Sequence, residues 1–208
     1  MTQPQAINSD LDIAKAACVL IGQGPIEGWS GDSKAISANL LYRPLVEDLI
    51  SRRWWGFATQ KVQLAQLVDA PLTQWKYAYQ LPHPRIGDPE QYFNTPSDQA
   101  EPTLNWRRMG DTVLSDDLAL YCDYRVDPGV LYWPAYFRRL VLHACAAEFA
   151  LAMTDDQAKH DRHFQIAFGT PDQGGTGGLF GAAMLADSQT QTTRGLTSAS
   201  FPLTAVRS

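Results

Sequence analysis

Four histidines and three cysteines are the side chains of this chain best suited to metal or nucleophilic chemistry, so their spacing comes first. His160 and His163 stand three apart on a stretch with helical periodicity and share a helix face, as a pair of metal ligands must. No Cys, Glu or third histidine stands at matching spacing. Asp155, Asp156, Lys159, Asp161 and Arg162 surround the pair, which is the pattern of a solvated helix face. His143 and Cys145 are two apart on another helical stretch, so they point about 200° apart and cannot meet as a thiol–imidazole dyad. Both suit core or interhelix positions. Cys18, Cys122 and Cys145 are odd in number, widely separated and without CxxC spacing, which supports neither a disulfide framework nor a zinc knuckle.

The carboxylates of Asp116, Asp117 and Asp123 are candidates for general acid–base work, but adjacent strand residues face opposite ways, so turn and edge roles are expected. Gly22, Gly24 and Gly28 resemble a nucleotide loop only superficially: they follow a helix rather than a strand. A hydrolase elbow, a zincin motif and a phosphate loop are all missing, so the expectation is a non-enzyme with no catalytic residue, cofactor or metal.

The surrounding elements follow from periodicity. Leu11, Ala14, Cys18 and Ile21 predict a first helix opened by Asn8 or Ser9 and stopped by Gly22. Asp32 or Ser33 opens a second, carrying Ile36, Leu40, Leu41, Leu45, Leu49 and Ile50 to about Arg53, with a kink or break expected at Pro44. Period-two alternation then predicts strands at residues 62–67, 76–81, 105–109 and 118–124, with a tight turn at Gly110 and Asp111 before Thr112. Residues 82–102 are polar and proline-rich and are expected to be a loop outside the core. Pro134 opens a third helix through Leu151. Thr154 to Gln157 form a capping box for a fourth, which ends at Gly169.

These elements predict an α+β protein: an antiparallel helical bundle (1–56 and 133–169), a β-rich insertion (57–132), and an extended C-terminal tail (170–208). That tail is poor in bulky apolar residues and is expected to be disordered in the free subunit. A chain of 208 residues with 45% hydrophobic residues can bury a substantial core, and no apolar run is long enough to span a membrane. Residues 1–10 carry no secretory pattern, so synthesis in a cytoplasm is expected. A net charge of −5 argues against a protein that grips nucleic acid through phosphate neutralisation.

Large aromatic rings concentrate where the helical and β-rich stretches meet. Trp54, Trp55, Phe57, Tyr132 and Trp133, together with Trp106, are either a core joining the two parts or an interface between subunits.

The run from Ala14 to Pro25, closing on Leu20, Ile21, Gly22, Gln23, Gly24 and Pro25, precedes Ser37, Ala38, Asn39 and Leu40. A long helix then closes at Arg52, Arg53, Trp54, Trp55, Gly56 and Phe57. Taken with Pro134, Tyr136, Phe137, Arg138 and Arg139, this order over residues 11–170 resembles tail tubular protein A, the head-to-tail adaptor family of short-tailed phages. Arg43, Pro44, residues 82–102 and the glycine-rich tail depart from the family pattern.

The resemblance implies a virion protein forming a dodecameric ring under the portal. Its helical part and tail would meet the portal protein, and its β-rich part the next tail component (nozzle or tail tube). DNA would pass through the lumen without specific binding, and a ring of such subunits would carry about −60, repelling phosphates. Trp54, Trp55, Phe57, Trp106, Tyr132 and Trp133 are then the candidates for ring or tail contacts, and Phe180, Leu196, Phe201 and Arg207 for portal docking. A stopper or tail terminator is the nearest alternative, and a virion hydrolase a more distant one.

Overall fold

The computed structural model describes residues 7–97 and 100–190, which form a mixed α+β structure whose strands all pair antiparallel. Helix α1 (Asp10–Leu20) starts on a capping box. The Ser9 hydroxyl accepts from the Asp12 amide at 3.2 Å, while the Asp12 carboxylate accepts from the Ser9 amide at 3.1 Å. Helix α2 (Ser33–Ser51) is capped by Asp32, which accepts from the Ala35 amide at 2.8 Å. It runs through Pro44 without the expected break. Pro44 and Leu40, whose carbonyl loses its amide partner, lie on the exposed side where water replaces the bond. The opposite face buries Ala38, Tyr42, Val46 and Leu49.

Helix α3 (Ala135–Thr154) is the hub, packing against α1, α2, α4 and α5. Its Ala144, Ala146, Ala147 and Ala150 are small enough to let neighbouring backbones approach closely. The expected capping box at Thr154 does not form. Thr154 is the last residue of α3, its hydroxyl donating back to the Ala150 carbonyl at 2.6 Å. Asp155 adopts a left-handed conformation (φ 50°) that turns the chain, and Asp156 caps α4 (Gln157–Phe168).

The expectation of a disordered tail from residue 170 is overturned for residues 171–190. A short 3-10 turn leads into α5 (Gly178–Thr190), which packs on both α3 and α4 and buries Phe180, Ala183 and Asp187. Its spacing of 180, 183 and 187 gives one inward face, apolar at Phe180 and Ala183 and acidic at Asp187, and α3 and α4 supply the surface that offsets its ordering entropy.

The β-rich part is two small sheets. One orders β1 (Thr59–Gln63), β7 (Tyr121–Arg125) and β4 (Tyr92–Phe93); the other orders β2 (Ala65–Gln66), β3 (Tyr77–Gln80), β6 (Thr112–Ser115) and β5 (Trp106–Met109). They share a core of Leu64, Tyr79, Leu81, Tyr92, Val113, Leu120 and Cys122. The hairpin at Gly110 forms as expected, with Met109 opposite Thr112 and Gly110 at φ 61°. Residues 82–102 are not all outside the core: Tyr92 and Phe93 are fully buried as β4, an aromatic pair whose strand signal is masked by flanking prolines and polar residues.

Candidate interaction surfaces

The aromatics of the junction form a core rather than a face. Trp55 is fully buried, its ring 5.3 Å from Phe137 and 5.7 Å from Phe180, and its indole N–H donates to the Leu49 carbonyl at 3.0 Å. Trp133 is likewise buried, 5.1 Å from Phe137, with its indole N–H donating to Asp127 at 2.9 Å. Phe57 packs partly buried between Tyr136 and Phe137. Trp55 and Trp133 are therefore core residues of the helical part. Phe180, expected as a docking anchor, is only 3% exposed and is corrected to a core residue. Trp54 and Trp106 are half-buried, Trp106 lying 4.5 Å from Tyr92, while Tyr132 stands 74% exposed. Leu196, Phe201 and Arg207 lie outside the described residues.

Two polar ties fasten the junction, one within the helical part and one between it and the β-rich part, and periodicity shows neither. Asp187, on the inner face of α5, accepts from the Gly56 amide at 3.1 Å and the Tyr136 hydroxyl at 3.1 Å, and lies 3.8 Å from the Arg53 guanidinium. Burial, followed by the Asp187 charge, pushes the Tyr136 hydroxyl up to about 12, so it remains a donor. The available sequence signal was an isolated acid on the apolar stripe of residues 180, 183 and 187. The glycine-rich approach to that stripe read as tail.

The second tie is Arg125. Its guanidinium stacks 4.7 Å from the Trp54 ring and donates to the Ser51 carbonyl, joining the end of β7 to the end of α2. Gly87 lies against it with φ 68°, and a Cβ there would sit 2.8 Å from the guanidinium. Gly87→Ala is expected to cost about 1–2 kcal/mol from the left-handed backbone alone. Urea denaturation of the variant checks this; a loss below 0.5 kcal/mol, on the order of ordinary surface changes, would show that the guanidinium and backbone yield freely.

Catalytic constellations fail on geometry. The three thiols are buried, and burial raises the pKa of each, that of Cys122 to about 12, which keeps them protonated and inert. Asp116 and Asp117 hold turns, accepting from the Lys76 amide at 3.0 Å and the Thr103 hydroxyl at 3.0 Å, and Asp123 pairs with Lys61 at 3.2 Å. His160 and His163 do not act together. His160 contacts Asp161, whereas His163 turns inward to meet His143 at 3.1 Å, an interhelix contact of the kind expected for His143. Among the described residues no group of three or more His, Cys, Asp or Glu side chains is arranged to hold a metal.

Exposed apolar side chains occur in both parts. On the helices, Val19, Ile36 and Leu40 face outward. In the β-rich part, Tyr77 and Trp106 both pair with Ser115, and Gln66 pairs with Tyr79, so one end of the four-stranded sheet collects several loops. Those loops present Val68, Leu72, Leu104 and Leu118, with Val68 and Leu72 fully exposed and Leu104 94% exposed. Isolated exposed apolar residues are ordinary; here the loops that carry four of them leave the same end of one sheet. Arg107 and Arg108 guard the outer edge of β5 against further strand pairing. Compared with known proteins, the chain matches no family model and no curated protein.

Proposed function

We propose that this chain is a structural virion subunit, a head-to-tail adaptor whose ring joins the portal to the tail and surrounds the DNA passage. The observation that carries the reading is the set of exposed apolar side chains Val68, Leu72, Leu104 and Leu118, on loops at one end of a sheet in a β-rich part that Arg125 ties to the end of α2. A subunit that bridges two neighbours needs exposed apolar surface on each of its parts and a stiff connection between them.

In this reading α1 to α5 are an antiparallel bundle that meets the portal. The β-rich insertion meets the next tail component, and residues 191–208 supply the docking tail with Leu196, Phe201 and Arg207. The net charge of −5 makes the ring anionic, so that DNA slides through rather than binds. Light scattering on the purified chain, alone and mixed with portal rings, tests the proposal. The expected result is a monomer that becomes a portal-bound ring. A monomer or dimer indifferent to portal would overturn it and return attention to hydrolase assays; closure of the bore or capping of a long tail would point to a stopper or terminator. Removing residues 191–208, which spares α5, is the variant that tests the tail; a cut at Gly169 would also strip Phe180 and Ala183 from the core.

A further inference from the structure

Helix α4 is held to α3 along a seam of unusual composition. Of its twelve residues only His163, Ala167 and Phe168 are buried, so an ionisable ring sits in the middle of its inner face. That ring meets His143 of α3, Nδ1 to Nδ1, at 3.1 Å. The ring centroids are 5.3 Å apart, close to the nitrogen separation plus the radius of each ring, so the two nitrogens face one another head-on. Lone pairs of a shared metal's ligands would instead converge on a point beside that line. The head-on arrangement is that of a hydrogen bond, with one Nδ1–H donating to the other Nδ1.

Such a bond needs one proton between the two Nδ1 atoms. We propose that His143 and His163 are a one-proton clasp between α3 and α4, which opens when both imidazoles are protonated and releases α4 from the fold. With two protons both Nδ1 atoms are donors, no acceptor remains, and two cations face each other in a largely buried seam.

The charged neighbours strengthen the effect. Arg139 lies one turn before His143 on α3, and Arg162 adjoins His163 on α4, where Lys159 also lies, paired with Asp156. His160 is turned to Asp161. From α1 the pair meets the Leu20 backbone, a hydrogen-bond partner that favours charge on His163. Burial outweighs it, and both rings are held below the ordinary histidine range, His143 by burial, then His163 and Arg139, and His163 by burial and Arg162. The sign follows: folded pKa values below the unfolded value of about 6.5 mean that unfolding takes up protons, so this contribution is full above pH 6.5 and is lost as pH falls below it.

Native-state hydrogen exchange at pH 7.5 and 5.0, corrected for intrinsic rates, tests the clasp. The opening equilibrium of the α4 amides is expected to rise by about 10-fold or more, toward the ceiling of about 30-fold for one proton taken up on opening at a site of free pKa about 6.5. The α1 and α2 amides should change much less. In His143→Asn, whose amide offers both donor and acceptor without titrating, protonated His163 keeps a partner and the rise should fall below about 3-fold. An unchanged α4 in the wild type, a uniform loss across all helices, or an undiminished rise in His143→Asn would overturn the proposal. Should that variant fail to fold, ring-nitrogen NMR of the wild type decides: two coupled steps support the clasp, and two independent titrations near 6.5 overturn it.

Discussion

Asp187→Ala is expected to lower the unfolding free energy by about 2–4 kcal/mol, from two hydrogen-bond donors left without their acceptor and a half-buried arginine left without its counter-charge. The carboxylate is 1% exposed and accepts from the Gly56 amide and the Tyr136 hydroxyl while facing Arg53. Its removal leaves the Gly56 amide and the Tyr136 hydroxyl without that acceptor and Arg53 without its counter-charge, and each orphaned donor costs about 1–3 kcal/mol. Asp187→Asn, which keeps one acceptor oxygen but adds an amide that faces a guanidinium, should lose a smaller part. Urea denaturation measures both. Equal losses would mean that the charge, rather than the accepted hydrogen bonds, fastens α5; a loss under 1 kcal/mol for alanine would mean that α5 is held by Phe180 and Ala183 alone.

Trp55→Ala is expected to cost a similar amount, about 3–5 kcal/mol, from the cavity left by a fully buried indole. The ring touches the surroundings of α2, α3 and α5 at once, with Phe137 at 5.3 Å, Phe180 at 5.7 Å and Phe57 at 5.9 Å, so no single neighbour can collapse into the space. Trp55→Phe removes the N–H to the Leu49 carbonyl but keeps much of the ring contact, and should lose roughly half as much. If alanine cost less than 1.5 kcal/mol by the same denaturation assay, the junction would be loosely packed and the stiff connection assumed for a bridging subunit would be gone.

Legibility along the chain tracks how local the physics is. Ser9, Asp32 and Gly169 mark helix ends because a cap is a contact among residues three or four apart. The Gly110 turn is legible for the same reason. Thr154 misleads because the cap it offers competes with a left-handed Asp155, and the tight packing of α4 on α3 favours the shorter turn. Residues 92–93 misread because a two-residue strand carries no period, and only β7 beside it makes it a strand. Helix α5 misreads because its glycine-rich approach looks like tail, while its stability comes from α3 and α4.

The aromatic cluster shows the same division. Sequence places Trp54, Trp55, Phe57 and Trp133 at the joint between helices and strands, and favours a core over an interface for such rings while leaving both open. Only packing separates them: Trp55 and Trp133 go inside, Tyr132 stays out, and the exposed apolar side chains include Val68, Leu72, Leu104 and Leu118, drawn from three loops far apart in sequence.

By itself, then, the sequence determined the mixed α+β class, the positions of four helices and the tight hairpin, and the acidic charge, because each depends on composition or on neighbours a few residues apart. Tertiary structure alone decided that residues 178–190 are a core helix, that Asp187 fastens it, that His163 turns from His160 to His143, and that four loop side chains gather at one sheet end. Those outcomes depend on which distant surfaces meet, and burial and hydrogen-bond satisfaction are settled only when they do.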